Sequence, residues 1–231
     1  MPARRFVAEL LERSPLSSRV HLLRFAAKVP FTWAAGQHLV VVRGQGQALF
    51  LPYSFASASD PKKAREFSLA VAIHAGADVM DTLPLGAELE VEGPMGTFTW
   101  QPAPSPAALL VGVGTGIAPL HALVEEELGR ASETRLLLLA GHREPEDVLF
   151  VADFARLAAQ HARFHFIPTL SGGGPTWLGR RGRVQAQITE AVSSLAPLDA
   201  YVCGRSEMVN EVVRSLIAHG VPEARIRSEG F

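Results

Sequence analysis

Glycines 112, 114 and 116 alternate with Val113 and Thr115 in "LLVGVGTGIAPLH" (residues 109–121), between an apolar run and Pro119. Glycines placed this way remove the Cβ atoms from a strand-to-helix turn, so that backbone N–H groups can close on an anion such as a pyrophosphate. Ile117 stands where the common dinucleotide fingerprint has its third glycine, and no lysine follows as it would in a P-loop. Taken alone, the loop reads equally as a tight turn without a ligand. Two further strand ends carry useful residues: Cys203 and Gly204 in "YVCGRSEM", and Arg143 in "LAGHREPEDVLF", a cation for a phosphate or an adenine. Three such ends point to one cleft, because ligands of open α/β sheets bind at the carboxyl ends of the strands.

Other candidate residues have plainer readings. Cys203, the single cysteine, excludes an intrachain disulfide and a four-cysteine cluster, and a small buried packing residue is the alternative to a reactive thiol. His161 and His165 lie four apart without a third ligand nearby, so no metal site is expected. The stretch "RRGRV" (180–184) is a solvated loop or a nucleotide contact, and Phe231 is a frayed end or a cover for a ligand.

The elements that position these residues change character along the chain. Up to about residue 100, short β-branched runs ("RVHLLRF", "QHLVVVR", "EFSLAVAIH", "AELEVEG") alternate with Gly, Pro, Ser and Asp, as in a small barrel or sandwich, and only "DVMDTL" suggests a helical turn. After the proline-rich "TWQPAPSPAA", strands are followed by helical stretches: "AALLVGV" then "IAPLHALVEEELGR", "TRLLLLAG" then "PEDVLFVADFARLAAQH", "DAYVCG" then "SEMVNEVVRSLIAHG". This alternation implies βαβ units on a parallel sheet. We therefore expect two domains, residues 1–102 and 103–231. No charged side chain occurs between Gln101 and Val124, a length that would span a bilayer, but Pro102, Pro104, Pro106, Pro119 and the glycines break any continuous helix. With 19% charged residues, 48% apolar residues and a net charge of −1, a nucleic-acid partner is not expected. The charged N-terminal stretch lacks a secretory core, which places the chain in the cytoplasm, away from membranes.

Eight ordered motifs, "AGQHLVV", "LPYSFAS", "EFSLAV", "VEGPMGTF", "GVGTGIAP", "GHREPEDVLF", "CGRSEM" and a terminal "EGF", resemble the ferredoxin-reductase-like NAD(P)H-flavin oxidoreductases along nearly the whole chain. The resemblance implies an N-terminal antiparallel Greek-key barrel for FAD or FMN and a C-terminal parallel-sheet domain for NADH or NADPH. It implies hydride transfer from nicotinamide C4 to flavin N5, with Ser54, Cys203 and Glu229 at the reacting rings. Leu51, Pro52, Tyr53 and Ser54, with Val71, Ile73, Val79 and Met80, would contact the flavin, and Phe231 would cover one of its faces. Gly112, Gly114, Thr115 and Gly116 would hold the pyrophosphate, with Arg143, Cys203 and Gly204 as further nucleotide contacts. Electrons would pass on to free flavin or to a partner such as an oxygenase or an iron-sulfur protein.

Two positions depart from the family pattern. Leu51 replaces the arginine of Arg-x-Tyr-Ser that pairs with the flavin phosphate, and Asp78, near Gly76, adds negative charge where a small hydroxyl residue is common. Flavin held by its ring and ribityl chain, and exchanging, follows from these changes; Arg43 as a substitute cation and a non-catalytic subunit are the alternatives. Gly172, Gly173 and Gly174 after Ser171 lean towards NADH, while Arg143, Arg180, Arg181 and Arg205 remain as cations for a 2′-phosphate.

Overall fold

Alternating burial of Phe6, Ala8 and Leu10 makes Arg4–Ser17 a strand, β1, of the computed structural model, which describes residues 3–44, 46–60, 62, 65–73 and 79–231. With β2 (Val20–Ala27), β3 (His38–Gly44), β4 (Gln47–Ser54), β5 (Glu66–Ala72) and β6 (Glu88–Met95) it forms an antiparallel sheet of order β4-β3-β6-β1-β2-β5. The pairs β3–β6, β6–β1 and β2–β5 join strands that are not consecutive, the crossed connectivity of a Greek key. Its two edges approach one another through a bridge from Phe55 to Leu69 and the bond from Ala56 N–H to Ser68 O (2.8 Å). Inside, Phe55 stacks on Trp33 (4.6 Å between centroids) and meets Phe67 edge-on (5.7 Å). The expected helical turn is α1 (Val79–Thr82), whose Met80 and the following Leu83 plug the barrel, while Arg13 donates to the carbonyls of Met80 and Leu83.

Neither β1 nor β4 is among the strands the sequence pattern marks. The charged outward residues of β1 dilute its period, and Pro52 in β4 counts against a strand, yet β4 is an edge strand, where proline is tolerated.

The second sheet is parallel throughout, of order β10-β9-β8-β7-β11-β12. Its strands are β7 (Ala107–Val113), β8 (Arg135–His142), β9 (Phe164–Leu170), β10 (Arg180–Arg181), β11 (Asp199–Gly204) and β12 (Ile226–Gly230). Residues 107 to 111 are buried to the last atom or nearly so because both faces are covered. Leu110, Leu136 and Leu138 face α2 (Ile117–Leu128) and α3 (Val151–Gln160), and Leu109, Leu137 and Leu139 face α4 (Ile188–Leu195) and α5 (Ser206–Ala218). The helical stretch expected from Pro145 starts only at Val151, because Phe150 takes a left-handed φ of 55° and stacks its ring on His121 (4.3 Å).

Helix α2 also docks the sheets together. Glu126 accepts from Ala35 N–H (3.0 Å), Glu125 from Ala58 N–H (3.0 Å), and His121 Nδ1 donates to Ala56 O (2.8 Å), all on barrel loops. No helix of the described residues is long and apolar enough to cross a membrane.

Candidate functional site

The glycine loop leaves β7, makes one 3-10 turn over Gly114–Gly116 and enters α2 at Ile117. Its three glycines do different things. A Cβ at Gly116 would stand 2.5 Å from Cys203 O and 2.6 Å from Gly204 Cα, and one at Gly112 would meet Leu120 and Ile117 side chains at 2.7 and 2.8 Å. Gly112 therefore lets α2 pack close on β7, and Gly116 lets the loop press against β11. Gly114, at φ +55°, has no atom within 4 Å of a Cβ position, so the open space over the loop lies there, beside a helix N-terminus that no side chain caps.

That space belongs to a cleft of about 1080 Å³ running along the carboxyl ends of β7, β8, β9 and β11. Gly114, Arg143, Ser171, Arg183, Val184 and Arg205 line it from the parallel sheet, and Ser17, Arg19 and Val20 line it from the barrel. Arg143 and Arg205 are 76% and 80% exposed, each beside an acid 3.9 Å away. Arg180 instead pairs with Glu190 (2.5 Å), and Arg181 donates to the carbonyls of Gly173, Gly174 and Trp177. His142 is 9% exposed on the cleft wall; burial draws its pKa down to about 4, so it presents a neutral ring.

The remaining candidates gather where the sheets meet. Gly112, Cys203 and Glu229 sit in register on β7, β11 and β12. Cys203 is fully buried, and burial pushes its thiol up and keeps it protonated, as befits a packing residue. Gly204, at φ +140°, lets the chain turn so that Phe231 N–H bonds to Gly204 O (3.2 Å) and Ser206 N–H to Phe231 O (3.3 Å), holding the terminal ring outward at 64% exposure. Across the seam, His38 Nδ1 lies 3.7 Å from Glu229 Oε1, and His38 is the in-register partner of Ser54. Burial raises the Glu229 carboxyl, and Oε2 of Glu229 is closed off without a hydrogen-bond partner.

On the barrel, Tyr53 and Leu51 are half-buried against the core and Pro52 is exposed. Ile73 and Val79 are half-buried as well. Val71 and Met80 are 2% and 0% exposed and belong to the barrel core, so neither presents the ligand contact expected of it. Gly76 and Asp78 lie outside the described residues. Leu51 supplies no charge, and Arg43, the alternative cation, is exposed on β3.

Sequence reasoning missed His38, His142 and the pair Glu125–Glu126, and it named Arg183 only within the stretch 180–184. His38 was visible in "AGQHLVV", but nothing near it announces its partner on the last strand.

Residues 7–100 match the family model described as an oxidoreductase FAD-binding domain, and residues 110–214 match that of an oxidoreductase NAD-binding domain. The chain is 35% identical to ferredoxin–NADP reductase B of Sorangium cellulosum over 96% of this chain and 100% of that protein. It is 28% identical to the reductase subunit of an aromatic O-demethylase of Amycolatopsis, covering 100% of this chain and 70% of the relative. Among solved structures, the cytochrome P450 reductase of Amycolatopsis superposes with a TM-score of 0.87 at 28% identity, over 100% of this chain and 70% of that one. The ferredoxin reductase in carbazole 1,9a-dioxygenase does so at 0.89 and 21%, over 100% and 70%, a likeness of fold.

Proposed function

Because this chain belongs to the ferredoxin reductase-like superfamily of FAD-dependent NAD(P)H oxidoreductases, we propose that it delivers electrons singly to a partner protein, an iron-sulfur protein or an oxygenase component, with free flavin as the other acceptor. The observation that carries the reading is a nucleotide-sized cleft lined from both sheets, with the uncapped start of α2 at Gly114 open to it. Relatives named as reductases of larger systems support a protein acceptor. We divide the chain into a flavin unit, 1–102, and a nucleotide unit, 103–231. The antiparallel sheet closing at Met95 and the parallel one opening at Ala107 support that division. A cytoplasmic site, where reduced nicotinamide nucleotides are regenerated, completes the reading.

In this reading the open space at Gly114 and the first turn of α2 receive the pyrophosphate, and Thr115 and Arg143 flank it. Tyr53 and Phe231 offer ring faces, while Ser54, Cys203 and Glu229 surround the place where the two rings meet. When bound, FAD supplies the hydride acceptor and converts a two-electron donor into single-electron delivery. The protein orients the rings, shuts out water and needs little acid–base help. Leu51 favours a flavin held through its rings and ribityl chain, which exchanges.

The test is NADPH and NADH oxidation by the purified chain with added FAD and a one-electron acceptor such as ferricyanide. Turnover is expected, with much of the FAD lost on gel filtration. Leu51→Arg should tighten FAD by roughly tenfold or more, about 1.5–3 kcal/mol for a charge-assisted bond. Oxidation of neither nucleotide would falsify the reading, and unchanged FAD affinity in the variant places the phosphate elsewhere, with Arg43 the next residue to replace.

A further inference from the structure

We propose that His38 is a positioning residue that acts through Glu229, pairing electrostatically with its carboxyl across the seam between the two sheets; the role rests on the function proposed above. Three observations on separate elements place the imidazole. From β12, Glu229 brings Oε1 to within 3.7 Å of Nδ1. Just after β6, Gly96 holds φ +97°, and a Cβ there would stand 2.8 Å from the same Nδ1, so glycine keeps the ring's space open. On β4, Ser54 is the in-register neighbour of His38, close enough for side chains on one face of a sheet to interact.

Glu229 cannot settle its own charge. Its Oε2 is closed off without a partner, and an unpaired carboxylate so placed is costly. Among the described residues, His38 from β3, the protonated Cys203 from β11, Arg227 two residues back on its own strand and Ser206 of α5 against Gly230 surround it. Arg227 directs Nη2 to Gln101 Oε1 (3.0 Å), and the ion-pair contact that reaches the carboxyl is that of His38. His38, within ion-pair reach of the carboxyl, opposes the burial that raises Glu229. A carboxylate at this strand end favours the positive charge that a nicotinamide acquires on giving up hydride, so His38 assists by keeping Glu229 ionised.

The experiment uses the full chain, first free of flavin. The Glu229 carboxyl is followed by carbon NMR against pH, its signal identified by its loss in Glu229→Gln. Replacing His38 by Gln should move the Glu229 midpoint up by about one pH unit. His38→Asn, which keeps a donor near the Nδ1 position without a charge, should move it likewise and serves if the Gln variant does not fold. With FAD and NADPH, the acid-side fall of kcat should move up by a similar interval in His38→Gln while KM for NADPH holds. A Glu229 midpoint unmoved in both variants overturns the proposal, as does a pH profile of kcat identical to that of the unaltered chain. If the unaltered chain oxidises neither nucleotide, the function fails separately, since the carboxyl titration requires no flavin.

Discussion

Arg183 reaches the cleft while Arg180 and Arg181, three and two residues before it, have their guanidinium groups bound elsewhere. Reading only the glycines after Ser171 leans towards NADH, because that loop holds no cation. In the folded chain, Arg143, Arg183 and Arg205 arrive at the same cleft from three different loops. Arg183→Ala should therefore lower kcat/KM for NADPH by about tenfold, the loss of one charge-assisted contact, and leave NADH unaffected. Steady-state kinetics with both nucleotides decides it. An equal fall with both would assign Arg183 to the phosphates they share. The sequence shows how many arginines there are, but their availability depends on whether Glu190 or a row of carbonyls has already engaged them.

At the scale of elements, the strand–loop–helix of β7 and α2 was readable from residue types alone, with the helix start expected near Ile117 or Pro119 and found at Ile117. What the motif conceals is the division of labour among its glycines. Gly116→Ala drives a Cβ into the backbone of Cys203 and Gly204, which cannot yield as a flexible side chain would. It should cost about 2–4 kcal/mol, seen as a lower melting temperature. Gly114→Ala meets no neighbour and should cost only about 1 kcal/mol for its left-handed φ, while weakening nucleotide binding at the loop. Melting curves and nucleotide titrations of both variants check the pair; similar losses of stability would show that the loop is uniformly packed.

Across the whole molecule, α2 forms the nucleotide loop at one end and grips the barrel at the other through Glu125 and Glu126. Replacing both by Ala leaves the N–H groups of Ala35 and Ala58 unpaired, about 1–3 kcal/mol each where buried. The expected result is a several-fold fall in kcat with unchanged nucleotide KM and unchanged circular dichroism, because each sheet survives while their mutual setting loosens. A kcat equal to that of the unaltered chain would show that the acids do not hold the seam. The sequence by itself determined the two kinds of sheet, the glycine turn and the family, since these rest on periodicity and on motifs a few residues long. It missed β1 and β4, where surface charge and Pro52 blur the period. Only the tertiary structure decided that His38 faces Glu229, that Arg183 enters the cleft and that Met80 lies in the core. Such contacts join residues far apart in the chain, and they exist only once two separately closed sheets pack and exclude water between them.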